Sequence, residues 1–129
     1  METTPLTPAQ PERHIFAREL HGNNLLLNSL MQLGSLNEPE IIQETAELLD
    51  LINTSQPTNL VIDLSQSDYL GTVMLSAVLR LWNRIAHRGG NLVLCNVSQK
   101  VAQVLRLTKL DTIWTICGSR DQAFRAVGG

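Results

Sequence analysis

Asn59-Leu60-Val61-Ile62-Asp63-Leu64, then a polar loop, Gly71-Thr72, the helix-forming run Val73 to Arg88, Gly89-Gly90 and Asn91-Leu92-Val93-Leu94-Cys95: this stretch decides the fold. Its two short runs are apolar at odd and even positions alike and rich in branched side chains, the pattern of a strand buried on both faces. Between them Gly89-Gly90 can adopt the left-handed conformation that ends a helix. The unit is strand, helix, strand, and such a crossover implies a parallel pair.

The same reading extends outward. Downstream, Ser98 caps a helix whose Val101, Val104, Leu105 and Thr108 recur at i, i+3, i+4, i+7. Thr112 to Ile116 follows as a last strand, and Ser119 caps a short helix, Arg120 to Val127, with Ala123, Phe124 and Val127 inward. Upstream, Asn37 caps a helix from Glu38 that carries Pro39 in its first turn and Ile41, Ile42, Thr45, Leu48, Leu49 and Ile52 on one face. His14 to Leu20 and Leu25 to Met31 read as an edge hairpin about Gly22-Asn23-Asn24. Residues 1–12, with Pro5, Pro8 and Pro11 among threonines, read as a flexible tail ahead of one domain over 13–129. The expected architecture is α/β, a mixed sheet with helices packed against it.

Composition narrows the function. The chain has 129 residues, 43% hydrophobic and 17% charged, with a net charge of -2, which describes one domain able to stand on packing alone. No apolar run approaches a membrane span, so a cytoplasmic protein without membrane insertion is expected. Residues 1–69 hold 10 acids and 2 bases, whereas residues 70–129 hold 2 acids and 8 bases. Eight bases spread over several elements fall short of a nucleic-acid stripe, so no nucleic-acid partner is expected.

The chain offers little to catalysis. A phosphate-binding loop needs several glycines at a strand-to-helix turn, where Gly71 stands alone. His14, His21 and His87 lack metal-ligand spacing, so neither metal nor cofactor is expected. A nucleophile site could draw on Cys95 or Cys117 with His87 and Asp63, though a thiol ending an apolar strand behaves as a small hydrophobe. One disulfide is left open, with buried free thiols the simpler reading. Asp63 and Asp68 echo a phospho-accepting receiver but lack its further acids and lysine.

Leu70-Gly71-Thr72-Val73-Met74 is the informative segment. Thr72 at the helix cap can accept a free backbone amide, which alone justifies a threonine there. Equally, an exposed hydroxyl at the positive helix end is a favourable seat for a phosphate. Apolar residues cover most of the helix circumference, so neighbours bury all of it or part is an interface. Met74 and Leu75, in the first turn, are expected to be its exposed apolar contacts.

The order of these elements resembles the STAS domain, the domain of anti-sigma factor antagonists and sulfate transporter tails. The likeness rests on Asn59-Leu-Val-Ile-Asp-Leu-Ser, Arg88-Gly-Gly-Asn-Leu-Val-Leu-Cys-Asn-Val-Ser, Val104-Leu-Arg-Leu-Thr-Lys-Leu-Asp and Asp121-Gln-Ala-Phe, and spans about residues 14–127. It implies a four- or five-stranded mixed sheet with helices mainly on one side, and a bacterial, non-catalytic interaction module. In such antagonists a serine or threonine at the start of the central helix is phosphorylated by a partner kinase that is also an anti-sigma factor, and the dephosphorylated form binds that partner and frees a sigma factor. The family motif reads Asp-Ser-Ser-Gly-Leu. Here Thr72 matches the phosphorylated position and Leu75 the apolar one, while Gly71, Val73 and Met74 replace the acid, second hydroxyl and glycine.

Gly71, Thr72, Val73, Met74, Leu75 and Asp68 are therefore the expected partner-binding residues, with Thr72 the phosphorylation candidate. The implied partner is an anti-sigma factor/serine-threonine kinase of the partner-switching type. Family members without the full motif act as unphosphorylated adaptors of signalling complexes or of a phospholipid-trafficking transporter ATPase, which gives a second reading. A small enzyme or nucleotide-binding domain is the third, with no constellation of acid, base and nucleophile behind it.

Overall fold

A computed structural model describes residues 3–5 by their backbone and residues 15–30 and 37–127 in full. The central unit forms as its sequence dictates: β4 (Asn59–Asp63) and β5 (Leu92–Cys95) are buried throughout and pair in parallel across the helix α2 (Thr72–Ala86). Before them β2 (Phe16–His21) and β3 (Asn24–Ser29) make an antiparallel hairpin, and α1 (Glu38–Ser55) crosses from β3 to its parallel neighbour β4. After them α3 (Gln99–Leu107) leads to β6 (Thr115–Cys117) and α4 (Arg120–Ala126). With β1 (Thr3–Pro5) at the edge beside β2, the mixed sheet has the order β1-β2-β3-β4-β5-β6.

Because strand order follows chain order, right-handed crossovers place α1, α2 and α3 on one face. Leu25, Leu27, Leu60, Ile62, Leu92 and Leu94 meet these helices, packing with Ile41, Leu48, Ile52, Val78, Leu81, Val101 and Leu105. Their neighbours Leu26, Val61, Val93 and Cys95 point to the other face, where Ala123, Phe124 and Val127 of α4 cover them. Alternation along each strand thus builds two cores, and double burial explains the unbroken apolar runs.

The helix ends show why the elements stop where they do. Asn37 Oδ1 accepts the Glu40 N–H at 3.0 Å, Ser98 Oγ that of Val101 at 3.2 Å, and Ser119 Oγ that of Gln122 at 3.2 Å, as the sequence suggests. Gly89 takes φ 77 after α2. Gly90 is required by close approach, since a Cβ there would stand 1.7 Å from the Thr58 carbonyl oxygen. Arg88 donates to the carbonyls of Ile52 and Pro57, at 3.1 and 3.3 Å, and so ties the end of α2 to the end of α1.

Four expectations need correction. Thr3–Pro5 is not part of a free tail but a strand, β1, antiparallel to β2. Edge pairing uses backbone groups, which composition does not reveal. The rest of the 1–12 segment lies outside the described residues, as do Met31 and His14. The last strand begins at Thr115 rather than Thr112, because Leu110–Thr112 winds into a 3-10 turn first. Ile42 is 52% exposed, and the inward position on α1 is taken instead by Glu44. Thr108 is likewise exposed, at the C-cap of α3 rather than on its buried face.

Glu44 does not sit idle in that core. Its Oε2 accepts the N–H groups of Ile15 and Phe16, at 2.9 and 3.1 Å, and lies 3.0 Å from the Arg18 guanidinium. The carboxylate thus satisfies two backbone donors at the entry to β2 and one buried cation, which is what a buried charge requires.

Candidate functional site

The loop between β4 and α2 is held from beneath. Ser67, itself buried, donates its hydroxyl to the Tyr69 carbonyl at 3.0 Å and its amide to the Leu64 carbonyl at 3.0 Å. Leu70 is buried in the main core, so the chain is pinned on both sides of an outward Tyr69, which is 54% exposed.

Gly71 is the N-cap of α2, with extended φ -82 and ψ 174, and its carbonyl accepts the Leu75 N–H at 2.9 Å. Thr72 is the first helical residue, exposed, and its hydroxyl makes no hydrogen bond among the described residues. This corrects the expectation that Thr72 caps the helix. A cap is a backbone conformation, and Gly71 already supplies it. No side chain caps the first turn of α2 and no acid lies in it, so no carboxylate of that turn offsets the positive end of the helix.

Met74 and Leu75 are 3% and 8% exposed, packed in the core. They are therefore not the exposed apolar contacts expected of the first turn, because both lie on the side of α2 that packs into the main core. The outward residues are Asp68, Tyr69, Gly71, Thr72, the half-buried Val73 and Ser76. Val73 and Ser76 continue into a groove of about 180 Å³ between α1 and α2, lined also by Ile41, Ile42 and Arg80.

Tyr69 and Ile42 escaped sequence reasoning. An aromatic beside a loop glycine was the available signal: a Cβ at Gly71 would meet Tyr69 Cε2 at 3.1 Å, so the ring occupies the space where a side chain on residue 71 would begin.

A second cluster lies at the carboxyl ends of β4 and β5. Asp63, 2% exposed, accepts from the Arg120 guanidinium at 2.5 Å, the Ser65 amide at 2.8 Å and the Asn96 side chain at 3.1 Å. Burial pushes the Asp63 carboxyl up, but these donors outweigh it and hold the group below its usual 3.8. Above it opens a polar cleft lined by Ser65 to Asp68, Asn96 to Ser98 and Gly118.

Asp63 is also the register partner of Cys95, yet no nucleophile site follows. The Cys95 thiol is pushed up to about 12, first by burial and then by the Asp63 charge. His87 ends α2 at the opposite end of the strands, beside the entry to β5. His21 bonds Glu19 at 2.9 Å and meets the Phe124 ring at a tilt of 35°, centroids 4.8 Å apart. Among the described residues no three His, Cys, Asp or Glu side chains form a metal-binding group, and no helix is long and apolar enough to cross a membrane.

Residues 33–123 match the model of the STAS domain family. The chain belongs to the STAS domain family. It is 28% identical over 93 residues to BtrV, a candidate anti-sigma factor antagonist of Bordetella bronchiseptica, a match covering 72% of this chain and 79% of that one. A candidate anti-sigma factor antagonist of Thermotoga maritima superposes with a TM-score of 0.79 at 21% identity, over 91% of this chain and 97% of the other. The anti-sigma factor antagonist SpoIIAA in its unphosphorylated form superposes with a TM-score of 0.75 at 17% identity, over 88% and 97%. The STAS fold is thus established, and with it the α/β architecture and mixed sheet expected above.

Proposed function

We propose that this STAS domain is a non-catalytic, cytoplasmic interaction module of the anti-sigma factor antagonist type, which binds its partner through the surface that starts α2. The observation that carries this reading is Thr72, exposed at the first helical position, with no hydrogen bond to its hydroxyl among the described residues and no acid in the turn. A phosphate there would meet the free amides of the first turn and the positive helix end, so the modified form would be stable. The same two negative charges would be poorly desolvated against a partner. The likeness to an antagonist described in its unphosphorylated form supports a phosphorylated counterpart here.

The contact surface on this reading is Asp68, Gly71, Thr72 and Val73, joined by Tyr69 and Ser76, with Met74 and Leu75 fixing it from below. Its partner is an anti-sigma factor of the serine-threonine kinase type. A second reading, the unphosphorylated adaptor of a transporter ATPase or signalling complex, draws support from Tyr69, whose ring covers Gly71 where the family motif has its acid. An exposed aromatic is a common interface anchor and needs no kinase.

Intact-mass analysis of the protein from its native cells, with capture of partners by wild type, Thr72→Glu, Thr72→Ala and Tyr69→Ala, separates the two. On the first reading Thr72 carries phosphate in a fraction of molecules, and a kinase-like ATPase bound by wild type and Thr72→Ala is lost with Thr72→Glu. Retention of one partner by Thr72→Glu with loss in Tyr69→Ala gives the second. Thr72→Ala itself should alter stability by no more than about 0.5 kcal/mol in urea unfolding, as expected of an exposed residue without partners.

A further inference from the structure

The two cysteines end adjacent strands, side by side. Cys95 closes β5, Cys117 closes β6, and they are register partners across this parallel pair. Neighbouring strands lie about 4.8 Å apart, within the Cα separations of roughly 4.4–6.8 Å that disulfides span. Directly paired residues also project to the same side of a sheet. Here that side is the smaller core, where Cys117 packs against the cluster containing Cys95 and Ala123. Cys95 is sealed from solvent, whereas Cys117 is partly open.

We propose that Cys95 and Cys117 are a reversible oxidation site, joined as an intrachain disulfide by hydrogen peroxide and released by a dithiol. The open sulfur reacts first. The Cys117 thiolate attacks one peroxide oxygen, an S–O bond forms, the O–O bond breaks, and the departing hydroxide leaves as water with the thiol's proton. The Cys95 sulfur then displaces the second oxygen from the sulfenic acid: the S–S bond forms, the S–O bond breaks, and another water leaves with the Cys95 proton. Two thiols give up two electrons and two protons, and one peroxide becomes two waters.

Geometry supplies what Cys95 lacks in reactivity. Burial leaves its thiol protonated, but its neighbour's sulfenic acid is formed beside it and no other thiol of the chain competes. The bond would tie β6 to β5 immediately before Gly118 and Ser119, the corner that caps α4 and carries Arg120 onto Asp63. The site is independent of the surface that starts α2, so failure of either reading leaves the other standing.

The test exposes the folded, reduced chain to hydrogen peroxide, removes the oxidant, denatures and alkylates it, and maps its peptides by mass spectrometry. The expected result is a fall from two alkylated cysteines to none, with the Cys95 and Cys117 peptides joined within one chain, lighter by two hydrogens, and both thiols restored by dithiothreitol. Cys117→Ser is expected to keep Cys95 as a thiol through the same exposure, and Cys95→Ser to carry Cys117 on to the sulfinic acid. The proposal is overturned if wild-type Cys117 reaches the sulfinic acid while Cys95 stays free, if the bond joins two chains, or if both thiols survive a dose that oxidises an unstructured cysteine peptide.

Discussion

Asp63 concentrates more of the fold than any other single carboxylate of the sheet, since it takes hydrogen bonds from the β4–α2 loop, from Asn96 after β5 and from the first residue of α4. Its folded-state pKa lies below the ordinary value, so folding favours the ionised form. The stabilisation is therefore fully present above about 3.8 and is lost as pH falls through the lower folded value. Urea unfolding at stepped pH should show that acid limb in the wild type and a flatter one in Asp63→Asn. At neutral pH the same variant should be less stable by about 1.5–3 kcal/mol, the worth of hydrogen bonds to a charged group. The importance of Asp63 was not legible beforehand. Its principal partner, Arg120, is 57 residues away, and no local spacing connects a strand end to the first residue of a helix so distant.

Elements were more readable than their orientations. Asn37, Ser98 and Ser119 announced three helices because a capping side chain reports a local backbone conformation. Thr72 misled for the same reason, since Gly71 adopts the cap conformation without a side chain to announce it. On α2 the apolar residues cover so much of the circumference that spacing alone could not tell which were buried, and Met74 and Leu75 proved to lie in the main core. On α1 the face of Ile41, Thr45, Leu48 and Ile52 was legible, but Glu44, lying on that same face, was not distinguishable from a solvated acid. Replacing it tests the clamp between α1 and β2. Glu44→Ala strands the Ile15 and Phe16 amides and removes the 3.0 Å ion pair from Arg18, which keeps its contact with Glu47 at 3.4 Å, and should cost about 3 kcal/mol in urea unfolding. Amide exchange should accelerate first at those two residues.

At the scale of the whole molecule, among the described residues one face of the sheet carries three helices and the other α4 alone. The smaller core is the vulnerable one. A chain ended after Gly118 would uncover Leu26, Val61 and Val93, each worth roughly 1.5–3 kcal/mol when buried, against a total stability of about 5–15 kcal/mol. Such a truncation should leave the monomer peak in size-exclusion chromatography with light scattering and appear as associated species, whereas the full chain should not.

The unbroken strand order has a further consequence, for synthesis. A sheet whose neighbours in space are neighbours in sequence can be assembled as the chain leaves the ribosome, each crossover docking beside the last strand laid down. No later segment has to be threaded between two strands already joined. The nascent sheet exposes one growing margin, which moves from β3 to β6 as translation proceeds. The far face stays bare meanwhile, until α4 emerges, folds back and closes it.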